Sequence, residues 1–174
     1  MARTAPHDQP GRSALLSRST HAYGRRVKKT STKVYRPSPA RRAVDHAYAV
    51  LTRHRLGASY RHLLTVTGRS SGLPRTTPVD VMNLDDTLWL VAPYGEVNWV
   101  KNLRGTGIAE LRRGRGVHTY DANEVGSELA APVIGQYIAQ VPVTQSYWAV
   151  SADATDDELR NEARGHPVFR LTPR

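Results

Sequence analysis

Two stretches of the chain concentrate side chains able to do chemistry. The first runs Thr67-Gly68-Arg69-Ser70-Ser71-Gly72-Leu73-Pro74-Arg75-Thr76-Thr77-Pro78. Gly68 and Gly72 permit tight backbone geometry with exposed N–H groups, and Pro74 stiffens the turn. Arg69 and Arg75 supply planar guanidinium forks, and the hydroxyls of Ser70, Ser71, Thr76 and Thr77 add further donors. This is equipment for holding a phosphate or a carboxylate, although a polar hairpin loop facing water would draw on the same residues. The second stretch is Ala92-Pro93-Tyr94-Gly95-Glu96-Val97-Asn98-Trp99-Val100-Lys101-Asn102-Leu103. Pro93 and Gly95 hold a turn at a strand end, and Trp99 and Asn102 follow one helical turn apart. A flat aromatic beside an amide suits a planar heterocycle. Taken alone, the pair reads more readily as a core tryptophan with Asn102 capping a neighbour.

The hydrophobic pattern defines the frame around these stretches. Ser38-Pro39 opens a helix over about 39–56, with Ala43, Ala47, Val50 and Leu51 on one face and Gly57 to stop it. From 62 the period shortens to that of strands, at 62–67, 77–84, 87–92, 108–112, 116–124 and 167–171. Asp85-Asp86 and Gly114-Arg115 are placed to turn two hairpins. Helices are predicted at 97–103, at 127–140, and from the capping box Thr155-Asp156-Asp157-Glu158 to Arg164. Strands in this order lack the intervening helices of a doubly wound sheet. The fold class is therefore α+β, mainly β: a small barrel-like sheet of about six antiparallel strands with flanking helices. The 24 residues Leu129 to Ala152 carry no charge, a length that can cross a bilayer. Pro132, Pro142 and the interspersed glutamines argue instead for a helix and loop lining an apolar pocket.

Composition narrows the functional classes. The chain has 174 residues, 25 Lys plus Arg against 15 Asp plus Glu, and no cysteine. Disulfide scaffolds, cysteine-ligated metals and thiol catalysis are excluded. Residues 1–42 contain eleven basic residues and one acid, a net of +10, whereas residues 43–174 contain fourteen of each sign. Two regions are thus expected: a basic arm at 1–42, too poor in apolar side chains to order by itself, and a neutral domain at 43–174. The arm reads first as an untidy terminus without a partner; its charge also suits peripheral contact with the anionic inner face of a membrane, and its Arg/Ser-rich, acid-poor composition is that of an organelle transit peptide as well. Its only stacking aromatics are Tyr23 and Tyr35, so nucleic acid is the weaker partner. It lacks the apolar run of a secretory signal, and a cytoplasmic location is expected. There is no dinucleotide fingerprint, Walker sequence or nucleophile elbow, and the histidines do not fall at metal-ligand spacing, so no metal site is expected.

Taken together, Thr-Gly-Arg-x-Ser-Gly-x-x-Arg-x-Thr-Pro at 67–78 and Asn-Trp-x-x-Asn-Leu at 98–103 resemble the deazaflavin-dependent nitroreductase and quinone reductase family. The resemblance covers roughly residues 60–148, with His-Pro-Val-Phe-Arg-Leu at 166–171 as a familiar last strand. It implies a split β-barrel that uses the 5-deazaflavin coenzyme F-420 to pass hydride to a small-molecule acceptor. On this resemblance Arg69, Ser70, Ser71, Gly72, Arg75, Thr76 and Thr77 would hold the coenzyme's phosphate and oligoglutamate tail. Ala92, Pro93, Tyr94, Trp99 and Asn102 would border its ring. Ser70 stands where the family commonly has Lys or Arg, leaving Arg75 and Lys101 to supply cationic charge. Tyr137, Tyr147 and Trp148 would wall the acceptor site, with Tyr147 orienting the acceptor or supplying a proton. The apolar wall favours quinone-like or nitroaromatic acceptors. Other readings stay open: a split barrel binding flavin mononucleotide or haem, a deazaflavin carrier without catalysis, and a nucleic-acid binder acting through the arm. Either a monomer or a homodimer is compatible with the sequence.

Overall fold

The computed structural model describes residues 58–174; the expected basic arm and the helix predicted over 39–56 lie outside the described residues. Six strands follow one another as β1 (Arg61–Thr67), β2 (Pro74–Leu84), β3 (Thr87–Val91), β4 (Ile108–Arg113), β5 (Gly116–Glu124) and β6 (Val168–Pro173). Between them lie helices α1 (Asn98–Thr106), α2 (Ser127–Gln140) and α3 (Asp156–Ala163), with a 3-10 helix at Pro142–Tyr147. The strands close in the order β1-β2-β3-β6-β5-β4, with antiparallel pairing throughout and β1 against β4 completing the barrel.

Alternation along each strand explains the closure. Leu64 and Val66 of β1, Val79 and Val81 of β2, and Leu90 of β3 point inward. Leu111, Phe169 and Leu171 meet them there, each contributing about 1.5–3 kcal/mol by leaving water. On the opposite face of the same strands, Met82, Trp89, Val91 and Val168 meet α2 and α3, forming a second core with Ile134, Tyr137, Trp148 and Leu159. One sheet therefore buries both faces along β2, β3 and β6. Helix α1 sends Val100 and Leu103 into the barrel core. It ends at Gly107, whose φ of 66° is the left-handed cap that glycine adopts without strain. Arg104 anchors α1 from outside, bonding Glu96 before the helix and donating to Glu124 of β5 at 2.5 and 2.7 Å.

The β2–β3 hairpin turns at Asp85 and Asp86, with φ of 50° and 57°, as a two-residue turn with matching twist requires. The capping box at Thr155 is formed in both directions. One expectation needs correction. The polar stretch 67–78 is not one loop: β2 starts at Pro74, so Arg75 and Thr76 pair with Val66 and Thr65 of β1. The true turn is Gly68 to Leu73, closed by the Gly68 N–H donating to the Leu73 carbonyl at 2.9 Å. The threonines allowed this, since β-branched residues favour a pleated strand over a loop. Among the described residues no helix is long and apolar enough to cross a membrane.

Candidate active site

The 68–73 turn and helix α1 come together through one amide. Asn102 is buried, and its Oδ1 accepts from the Arg69 backbone N–H at 3.2 Å and from the Arg69 guanidinium at 3.0 Å. A Cβ on Gly68 would lie 2.8 Å from Ser71 Oγ and 3.2 Å from the Leu73 carbonyl, so a side chain there would displace Ser71. Gly72, at φ 64°, supplies the left-handed residue that turns the chain back. Arg75 reaches back to Ser71 Oγ at 3.5 Å, and Thr65 and Thr76 join hydroxyls at 3.0 Å across the strands.

Beside this turn opens a cavity of about 630 Å³. One side is cationic and rich in hydroxyls: Arg69, Ser70, Ser71, Arg75, Thr76 and Thr77. The next wall carries Pro93, Tyr94, Val97, Asn98, Trp99 and Asn102. Trp99 is braced by Phe169, with ring centroids 6.0 Å apart. Tyr137 of α2 and Val143 and Thr144 of the 3-10 helix close the remaining side, and Val143 is 69% exposed.

Five of the residues singled out in the sequence do not line the cavity. Gly72 shapes the turn. Ala92 is fully buried and contributes its carbonyl, which accepts the Gly95 N–H at 3.0 Å and lies 3.3 Å from His166 Nδ1. Tyr147 stands edge-on to Tyr94 at 4.5 Å, behind the cavity wall. Trp148 is buried between Tyr137 and His166, and its indole N–H donates to Thr144 at 3.1 Å. Trp148 thus positions the 3-10 helix rather than facing the cavity. Lys101, offered by the sequence as a further cation, is exposed and outside the lining.

Two charged groups in the lining escaped the sequence reading. Arg61 and Asp80 are directly opposed between β1 and β2, and Arg61 Nε donates to Asp80 Oδ1 at 3.0 Å. The Tyr137 hydroxyl lies 3.5 Å from Asp80 Oδ2. Burial, and then the Asp80 charge, push the Tyr137 phenol well above its ordinary pKa, so it remains protonated. The available signal was Asp80 itself, a carboxylate set into the apolar run Pro78-Val79-Asp80-Val81-Met82.

Chemically, the site pairs a tight, cationic, donor-rich turn with an aromatic wall along a partly open cavity. Such an arrangement has the chemistry to contact a planar ring and an anionic group together. The closed six-stranded antiparallel barrel with flanking helices is a split barrel. The chain belongs to the F420H(2)-dependent quinone reductase family, whose sequence profile matches residues 40–160, more than half of its length. It is an F-420-dependent oxidoreductase.

Solved structures resemble the chain at low identity. A structure described as a domain-swapped dimer is 18% identical with a TM-score of 0.51, covering 78% of this chain and 100% of its own. An F420-H2 dependent reductase is 20% identical with a TM-score of 0.48, covering 66% of this chain and 95% of its own. A heme binding protein from Mycobacterium smegmatis is 15% identical with a TM-score of 0.48, covering 81% of this chain and 53% of its own. No curated protein matches the sequence.

Proposed function

We propose that this protein passes hydride from reduced F-420 to a quinone-like or nitroaromatic acceptor held in the 630 Å³ cavity. The observation that carries the reading is the Arg69–Asn102 clamp, which sets the cationic turn beside the aromatic wall. The residues fit the coenzyme. Two guanidinium groups and four hydroxyls gather on the turn and the first residues of β2, where an anionic tail would lie. Pro93, Tyr94 and Trp99 give flat contact for the ring. When bound, the coenzyme supplies the two-electron chemistry as a hydride donor.

The protein's own part is orientation and exclusion of water. Arg69 arrives with its guanidinium fixed, so little of its freedom is lost on meeting an anion. Arg75, Ser70, Ser71, Thr76 and Thr77 complete the donor set, with Gly72 bending the turn that presents them. Ala92 holds the turn that bears Pro93 and Tyr94. Tyr137 closes the acceptor side, Trp148 sets the 3-10 helix behind it, and Tyr147, edge-on to Tyr94, orients the acceptor through that ring.

The test is a fluorescence titration with oxidised and reduced F-420, beside flavin mononucleotide, followed by a menadione assay. Micromolar or tighter binding of the deazaflavin with turnover of menadione is expected. Preference for flavin mononucleotide, or binding of F-420 with no turnover of any acceptor, would replace this reading with a flavin protein or a carrier. The basic arm bears on where the reaction takes place. Attachment of the full chain to anionic vesicles, lost on deleting residues 1–42, is the outcome expected of a peripheral contact.

A further inference from the structure

Asp80 has a geometry that the proposed hydride transfer does not require. Its side chain is only 11% exposed, yet it lines the cavity. Burying a carboxylate is costly unless it is paired. Arg61 pairs it through Oδ1 alone. Oδ2 has the Tyr137 hydroxyl at 3.5 Å, the outer limit of a hydrogen bond. A carboxylate offers about four lone-pair sites, so Oδ2 keeps acceptor capacity beside the cavity. The Tyr137 oxygen can accept as well, since its proton points to Asp80. This part of the wall therefore presents acceptor atoms and asks for a donor.

Its position along β2 separates it from the coenzyme turn. Five residues run from Arg75 to Asp80, about 17 Å of strand at the usual rise. Pro78, Asp80 and Met82 share the face of β2 that meets the helical layer, opposite Val79 and Val81 in the barrel core. A ring resting near Trp99 with its tail on Arg69 and Arg75 leaves the Asp80–Tyr137 end for the other reactant.

We infer that Asp80, with Tyr137, is a specificity-determining pair that selects hydride acceptors carrying a hydroxyl or amino donor over acceptors lacking one. The inference rests on the functional reading above and names the substrate class of that same cavity. A site built to bond a donor discriminates strongly against an analogue without it, because its own polar atoms are left unpaired.

The probe is a pair of similar shape, 2-amino-1,4-naphthoquinone and its 2-methyl counterpart, menadione. Affinities are measured by NMR titration on the coenzyme-free protein and again on protein loaded with oxidised F-420. The kcat/KM ratio of amino to methyl compound follows, and differences in intrinsic reactivity cancel when variants are compared with the parent. The amino compound should bind at least tenfold tighter than expected from the Asp80→Asn protein's own ratio. Tyr137→Phe, which leaves no charge unpaired, should lower the ratio in the same direction by a smaller factor. F-420 affinity and melting temperature identify a variant that has lost its fold, and Tyr137→Phe then carries the test. An amino-to-methyl ratio unchanged in a folded variant overturns the inference. Failure of the parent to bind F-420 overturns the functional reading instead, because the coenzyme-free ratio still reports on Asp80.

Discussion

Asn102 takes two hydrogen bonds from Arg69 on a single oxygen, from the backbone at 3.2 Å and from the guanidinium at 3.0 Å. The contact spans 33 positions of sequence and joins the two stretches in which the chemistry is concentrated. It also gives a buried amide a reason to lie on the inner face of a helix otherwise packed through Val100 and Leu103. Leucine has the same shape without the acceptor. Asn102→Leu should weaken F-420 binding by roughly 1.5–3 kcal/mol, the usual effect of removing a hydrogen bond to a charged group. An unchanged dissociation constant in a fluorescence titration would take the clamp out of the site.

Arg75 lies on β2 rather than in a loop, and its guanidinium is close to Ser71 Oγ at 3.5 Å. Arg75→Ala should likewise weaken the coenzyme by roughly 1.5–3 kcal/mol. Because the bond is ionic and partly exposed, the difference between the variant and the parent should shrink as salt is added. Titrations at low and high ionic strength check both statements.

Tyr147 meets the edge of Tyr94, which lines the cavity. If Tyr147 delivers a proton, Tyr147→Phe should lower kcat by about a hundredfold, the lower end of general acid catalysis. If it orients the acceptor through Tyr94, KM should rise while kcat changes little. Turnover unaltered on every acceptor tried would remove the role.

Phe169 is fully buried in the barrel and braces Trp99. Phe169→Ala should destabilise the fold by about 3–5 kcal/mol through lost burial and the void left behind. Urea denaturation measures the change, and a loss below about 1 kcal/mol would mean that the barrel core collapses around the gap.

Glu162 supplies a dependence on pH. Burial raises its pKa, but the His166 ring and the Ala149 N–H outweigh that and hold it below the ordinary 4.5. A carboxyl whose pKa is lowered by folding stabilises the native state above its unfolded value, and that contribution is lost as acid protonates it. Stability should therefore fall on acidification below about pH 4.5, and Glu162→Gln should make the decline less steep. Denaturation curves at pH 7 and pH 4 compare the two proteins, and equal slopes would exclude Glu162.

Local structure was legible in the sequence wherever short-range chemistry decides it. Asp85-Asp86 turned the hairpin that its residue types call for, and the capping box at Thr155 opened α3. Ser127 to Gln140 formed one helix with the boundaries that its apolar pattern indicates. The two motif stretches carried a resemblance to the family whose profile matches residues 40–160. The alternation of β-rich runs fixed which side chains face inward, since successive strand residues point to opposite faces.

Only the tertiary structure decided which residues share the cavity. Trp148 and Tyr137 lie in the same uncharged stretch, yet Tyr137 lines the cavity and Trp148 packs behind it. Helix rotation and the 3-10 turn after Val141 decide between them, and composition carries neither. Arg61 and Asp80 stand 19 residues apart and meet because β1 and β2 pair in one register. A shift by one residue would send Asp80 to the barrel interior. Asn102 and Arg69 are likewise joined by how α1 packs against the barrel, and that packing makes two separate motifs into one site.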